Sequence, residues 1–232
     1  MSGRRLALWF SAALALGLLA FAPLQLLLPR LSLPPALSAT RVEGHLWHGR
    51  LRQAQWRSTP LGDIRLGLSP LPLLSGRARL WLRGPDASLV LHAGRLRGIA
   101  RANGVVPLPA PPGLSLRASL EDADLVFDED GCRQAGGRVR IELTLPNDVM
   151  PPMLLAGAPA CEGGQGVIAL VAEQAGGAPQ VETRLEIDRD GGYRLQTFAR
   201  GDDPAMRMVL LTAGFQQAPG GLSRVDAGHL GR

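Results

Sequence analysis

Apolar and polar residues alternate along most of the chain beyond residue 60, and this period of two is the strongest constraint on its fold. Ile64, Leu66 and Leu68 alternate with polar or small neighbours. Similar runs occupy residues 114–120, 123–127, 139–145, 181–187 and 193–197. Because successive side chains of a strand point to opposite faces, each run predicts a strand with one apolar and one polar face. Such strands are typical of an antiparallel sheet.

Short glycine-containing segments separate these runs. Asp130-Gly131 and Asp190-Gly191-Gly192 have the composition of hairpin turns, which need residues that tolerate positive φ. Hairpins join neighbouring strands, so we predict a mainly β domain with a curved antiparallel sheet, either an open barrel or a gutter-like meander. With only 4% aromatic residues, the concave face is either packed or forms an apolar gutter.

A short helix is predicted near the C-terminus. Asp203 suits the N-cap, Pro204 the first helical position and Gly214 the end of the helix. We expect this helix to cover one end of the sheet, with one apolar face formed by Met206, Val209, Leu210 and Ala213.

The N-terminal region contains an uncharged apolar segment, residues 6–28. A helix of this length reaches roughly 34 Å, enough to cross a hydrocarbon core of about 30 Å. A cleaved signal peptide is the alternative, with Ala20-Phe21-Ala22 as the cleavage site. Because Pro23 would follow that site and the apolar run continues to Leu28, we favour an uncleaved transmembrane anchor.

This anchor divides the chain into four regions. Residues 1–5 form a short N-terminus, 6–28 the anchor, 29–40 a proline-rich spacer and 41–232 the β-rich domain, with a candidate internal boundary at 106–112. Arg4 and Arg5 before the anchor are matched by Arg30 and Arg41 after it, so local charge does not orient it.

The two cysteines, Cys132 and Cys161, have neither CxxC spacing nor nearby histidines. A single disulfide in an oxidising compartment is the economical interpretation, and two unrelated buried thiols are the alternative.

Charge is unevenly distributed. Residues 1–101 contain 14 arginines but only three acids, whereas residues 102–232 contain 11 arginines and 17 acids. The basic half suits anionic headgroups or an acidic partner, although solvated strand faces explain it equally simply. No recognition helix, zinc spacing or stacking motif is evident, so we expect no nucleic-acid partner.

We find no catalytic or metal-binding motif. His45 and His48 are close in sequence, but Glu43 is the only nearby carboxylate. The acids between Glu121 and Asp130 lack the spacing of a calcium loop, and no nucleophile elbow or phosphate loop is present. We therefore predict a non-enzymatic protein without a metal, cofactor or small-molecule substrate.

The order of these features resembles the type II secretion system protein N family. A short basic N-terminus and one apolar segment precede several stretches similar to those of the family: Val42-Glu43-Gly44-His45-Leu46-Trp47-His48-Gly49, Leu66-Gly67-Leu68-Ser69-Pro70, Leu73-Leu74-Ser75-Gly76-Arg77, Gly131-Cys132, Cys161, Gly191-Gly192-Tyr193 and Leu211-Thr212-Ala213-Gly214-Phe215.

The resemblance implies a single-pass component of the inner membrane of Gram-negative bacteria, with a cytoplasmic N-terminus and a periplasmic β domain. Its implied partners are the inner-membrane secretion platform and the outer-membrane secretin. We predict that Trp47, His48 and Arg50 face a partner, although packing of Trp47 into the sheet is equally compatible with the sequence. The alternative function is an anchored lipid carrier or scaffold of the AsmA-like or lipopolysaccharide-transport kind.

Overall fold

The computed structural model describes residues 9–11, 13–14, 17, 21, 37–56, 59–73, 75–108, 115–144, 152–173, 180–200, 204–212 and 214–229. Most of the predicted anchor, residues 6–28, therefore lies outside the described residues. Among those described, no helix has both the length and the apolar composition needed to cross a membrane.

The described chain is dominated by β-strands, with two short helices and with helical residues at positions 9–11, 13–14 and 17 of the N-terminal segment. The strands are β1 Leu37–Ser38, β2 Arg41–His45, β3 His48–Trp56, β4 Thr59–Leu68, β5 Arg77–Arg83, β6 Ala87–Gly94, β7 Arg97–Leu108, β8 Ser115–Asp128, β9 Gly131–Thr144, β10 Met153–Gly157, β11 Pro159–Glu162, β12 Gln165–Ala172, β13 Gln180–Ile187, β14 Gly192–Arg200, β15 Gln216–Ala218 and β16 Gly221–His229. The helices are α1 Pro70–Leu73 and α2 Pro204–Thr212.

All the strands belong to one antiparallel sheet that does not close, which confirms the predicted mainly β meander. From β3 to β9 each strand pairs with the next in the chain. Three local interruptions occur: β1 and β2 both pair with β3, β10 and β11 both pair with β12, and β16 lies between β14 and β15. Hairpin connections therefore determine nearly the whole strand order.

Cross-strand register aligns the apolar residues on one face. Leu51 pairs with Ile64, and Leu66 pairs with Leu82. Further along the sheet, Ile141 lies between Ala118 and Leu155 in the same way. The alternation recognised in the sequence therefore produces a continuous apolar face.

This sheet curves towards its apolar face. A Cβ built on Gly166 of β12 would lie 2.4 Å from the Leu125 side chain and 2.9 Å from that of Phe127, although both belong to β8 and two strands, β9 and β10, lie between β8 and β12 in the sheet. At the same rim, Arg97 at the start of β7 forms an ion pair of 3.6 Å with Asp190 in the β13–β14 turn. Strands are about 4.8 Å apart in a flat sheet, so such contacts require strong curvature.

Two separate hydrophobic clusters lie on this face. The first is centred on β3 to β5 and includes Leu51, Ile64 and Leu66. The second joins β7 to β13 through residues such as Ala102 and Leu155. The candidate boundary at 106–112 stays a prediction, because β7 and β8 pair up to Leu108 and Leu116 and residues 109–114 are not described.

The predicted C-terminal helix is present as α2. Its end has the Schellman pattern: Gly214 has φ of 89° and donates to Leu211, while the Phe215 N–H donates to the Leu210 carbonyl. Asp203 and Ala213 lie outside the described residues. Among the described side chains of α2, Met208 and Leu211 are exposed and Leu210 is half-buried. The side chains of Met206 and Val209 are not described, so coverage of one end of the sheet stays a prediction.

Candidate interaction surface

Trp47 lies at the tip of the β2–β3 hairpin and packs partly into the sheet. It contacts the first hydrophobic cluster, in which its neighbour Leu46 is buried. A Cβ built on Gly67 would clash with the Trp47 backbone carbonyl oxygen, which would lie 2.0 Å from it. The absence of a side chain at Gly67 thus allows the hairpin tip to fold over β4. The half-buried Trp47 has a packing role, while His48 beside it is exposed.

The two neighbouring histidines make different contacts. The His48 ring meets Trp81 edge-on, with centroids 5.7 Å apart. The His45 ring meets Phe21 of the N-terminal apolar segment, with centroids 6.3 Å apart. Nowhere in the described part of the chain do three or more His, Cys, Asp or Glu side chains form a metal-binding group.

A charged network lies on the outer face next to this hairpin. A bulge in β3 places Gln53 at φ of 48°, and its N–H donates to Asp63 Oδ1 at 3.1 Å. Arg52 donates to the other Asp63 oxygen at 2.8 Å and to Glu43 at 3.4 Å. The hydrogen bond from Gln53, followed by that from Arg52, lowers the pKa of the Asp63 carboxyl. Contact with Asp63 and then with Glu43 raises the pKa of Arg52.

A row of three arginines crosses the same face. Arg50 of β3 lies opposite Arg65 of β4, which lies opposite Arg83 of β5. No described carboxylate is within 4.0 Å of any of these three guanidinium groups. The row borders a shallow depression of about 390 Å³, completed by Asp63, Gly84 and Pro85. We call Arg50, Arg65 and Arg83 the arginine row.

The apolar face on the other side of the sheet is incompletely covered. Leu66 is fully buried there, but many large apolar side chains around the two clusters keep part of their surface exposed. These are Leu82, Leu91, Leu89, Leu120, Ile141, Ile168 and Val181. The described elements therefore leave part of this apolar face exposed.

The acidic segment between Glu121 and Asp130 makes contacts within the sheet. Asp124 accepts from the Arg101 N–H at 2.6 Å and from the Gln134 amide at 2.8 Å. Asp122 accepts from the Asn103 amide at 2.8 Å. These carboxylates stabilise bulged positions of β7 and β8 rather than converging on one point.

Cys132 and Cys161 form a disulfide, as the sequence predicted, with Cα atoms 5.5 Å apart. The bond links β9 to β11, where the Cys132 N–H also donates to the Gly164 carbonyl at 2.7 Å. It therefore fastens the β11–β12 hairpin to the neighbouring strand at the curved rim.

Sequence reasoning selected Arg50 but missed the arginine row. The only available signal was the excess of arginine in residues 1–101, which does not show which arginines are neighbours. Cross-strand register places Arg65 beside Arg50 and Arg83 beside Arg65, whereas Arg52 is two residues from Arg50 and is neutralised.

Comparison with protein families finds a match over most of the chain. The family model described as "Type II secretion system (T2SS), protein N" matches residues 35–224. No curated protein and no solved structure matches the chain.

Proposed function

We propose, because the chain belongs to the type II secretion system protein N family, that it is a non-enzymatic part of this machinery that couples the inner-membrane platform to the outer-membrane secretin. The exported substrates in this proposal are proteins already folded in the periplasm. The main support for this proposal is the extent of the family match, which runs from before β1 to Arg224 in β16. In this proposal, the partner subunits bind the sheet that the family match covers.

In this proposal residues 6–28 anchor the chain in the inner membrane, with residues 1–5 in the cytoplasm and the β domain in the periplasm. The Cys132–Cys161 disulfide supports an oxidising compartment for the domain. Alkaline phosphatase fused after Arg232 is active only when exported, so we expect an active fusion. An inactive fusion, with the fused protein intact, would contradict the orientation.

The hairpin tip supplies a defined test of partner binding. His48 is exposed, so a photoreactive amino acid at this position should form crosslinks to platform or secretin subunits in cells. The matched control is the same replacement at exposed Gln196 on β14. Equal crosslinking from both positions, or crosslinks to neither group of subunits, would remove the hairpin from the proposed interface.

The incompletely covered apolar face favours a second candidate, an anchored periplasmic lipid carrier. Half-buried leucine and isoleucine side chains follow the concave side of the sheet through both clusters, and an acyl chain would bury more of their surface. Native mass spectrometry of the full chain released from detergent should then show a bound lipid at fixed stoichiometry. Protein without lipid that still pulls down secretin or platform subunits would exclude the carrier.

A further inference from the structure

We propose that the arginine row, Arg50, Arg65 and Arg83, docks the outer face of β3 to β5 onto the phosphate headgroups of the membrane that anchors the chain. The inference rests on the proposed inner-membrane anchor. It extends that function by assigning a lipid-headgroup surface to the β domain itself.

Register is the first reason. Like charges directly opposite one another on neighbouring strands are destabilising, and here three arginines are opposite in succession. Arg65 and Arg83 are exposed and Arg50 is half-buried. An external anion would relieve the repulsion, and guanidinium groups bind phosphate oxygens in a bidentate manner.

The distribution of local acids is the second reason. Glu43 contacts Arg41 and Arg52, and Asp63 contacts Arg52 and the Gln53 N–H. Glu43 is therefore engaged by groups outside the row, and Asp63 is hydrogen-bonded to such groups while its charge also acts on Arg50. Asp86, the remaining acid of residues 1–101, forms no ion pair within the described part of the chain. The outer face thus separates neutralised arginines from arginines available to an external anion.

Position is the third reason, and it favours a membrane over an acidic protein. Only residues 29–36 separate the predicted anchor from β1, which limits the separation to about 28 Å. Trp81, two residues before Arg83, lies on the same outer face, and tryptophan is enriched at bilayer interfaces.

Residue-specific arginine labelling in nanodiscs tests the proposal with the full chain. One set of discs contains one part phosphatidylglycerol to two parts phosphatidylcholine, and the other contains phosphatidylcholine alone. Phenylglyoxal modification is followed by mass spectrometry at each arginine. The control residues, exposed and without a described ion pair, are Arg117, Arg194 and Arg207.

We expect all three residues of the arginine row to react several times more slowly in the anionic discs, and the control residues to react equally in both. A protection of roughly fivefold for each arginine corresponds to the usual attraction of one basic residue to an anionic surface. Salt at about 0.5 M should remove the protection, because the Debye length then falls below about 5 Å.

Three results would overturn the proposal: equal labelling in the two kinds of disc, equal protection of row and control residues, or protection that appears only when secretin or platform subunits are added. The last result would indicate an acidic protein partner. Failure of the anchor is distinguishable, because an unanchored chain would not copurify with the discs of phosphatidylcholine alone.

Matched triple variants give a second measurement. R50Q/R65Q/R83Q and R117Q/R194Q/R207Q remove the same charge, and circular dichroism checks that both retain the sheet. Energy transfer from tryptophan to a dansyl lipid in anionic discs should decrease in the first variant and remain at the unmodified level in the second. Equal transfer in both variants would contradict docking through the arginine row.

Discussion

Gly166 shows how one missing side chain permits the curvature of the sheet. It is buried on β12, and Leu125 and Phe127 of β8 occupy the space beside its Cα. Its φ is not in the left-handed region, so space rather than backbone conformation demands glycine. A larger residue at this position requires the ends of the Leu125 and Phe127 side chains to move.

Replacing Gly166 with valine should therefore destabilise the protein by about 1–3 kcal/mol, the usual cost of overpacking. Urea denaturation followed by circular dichroism measures this change. Gly136→Val is the control, because a Cβ at Gly136 meets nothing within 4 Å. If both variants lost the same unfolding free energy, the cost at position 166 would come from general effects of valine in a strand and not from the contact with Leu125.

His92 on β6 should make stability depend on pH. Burial, and then the charge of Arg79, lower its pKa from 6.5, with Asp124 acting weakly in the opposite direction. The unfolded chain consequently takes up the proton at higher pH than the folded chain does. This contribution to stability is present above pH 6.5 and is lost as the pH falls from 6.5 through the lower pKa of the folded state.

We expect His92→Asn to flatten this dependence. Urea denaturation at about pH 7.5 and about pH 5.5 should show a smaller loss of unfolding free energy in the variant than in the original protein. Parallel losses in the two proteins would contradict a role for His92.

The longest strands contain irregularities that alternation alone did not reveal. Residues 114–120 and 123–127 were predicted as separate runs, but the described parts of both belong to β8. A bulge at Asp122, with φ of 45°, returns Ala123 to the apolar face after Leu120. The sequence shows that the apolar alternation shifts between Leu120 and Ala123. The hydrogen bond that stabilises the bulge, however, comes from Asn103 on β7.

The disulfide should contribute strongly to the stability of the curved rim. Its 29-residue separation corresponds to about 3.5 kcal/mol in the chain-entropy description. Replacing both Cys132 and Cys161 with serine should lower the unfolding free energy by about 2–4 kcal/mol, measured with urea. A reductant should destabilise the original protein to the same level and leave the variant unchanged. A reductant effect on the variant would mean that another process is involved.

The molecule as a whole has two hydrophobic clusters that share no residue, with Leu91 of β6 packing against the first and Leu89 against the second. Regions with separate cores open as separate cooperative units. We therefore expect β3 to β5 to respond to a core defect independently of β8 to β12.

Leu66→Ala tests this separation, since Leu66 is 0% exposed at the centre of the first cluster. It should cost about 2–5 kcal/mol and accelerate amide hydrogen exchange in β3 to β5 while leaving β8 to β12 protected. Leu71→Ala, at a residue that is 79% exposed, should change stability by less than about 0.5 kcal/mol. Faster exchange throughout the sheet would show a single cooperative unit instead.

Much of the architecture follows from local pattern. Alternation places residues on two faces, glycines at positive φ such as Gly131 and Gly191 mark turns, and the caps of α2 mark its end. These features depend on residues close together in the chain, so the meander and the C-terminal helix were predictable. The cysteine pair was predictable for another reason, because a chain with two cysteines has one possible internal disulfide.

The arginine row and the contact between Leu125 and Gly166 were not predictable in the same way. Arg50, Arg65 and Arg83 become neighbours through hydrogen bonding among three strands, and a shift of one residue would turn each to the other face. Leu125 reaches Gly166 only because the intervening strands curve. Register and curvature arise from the packing of many side chains at once, which is why the folded sheet alone brings these charges and apolar groups together.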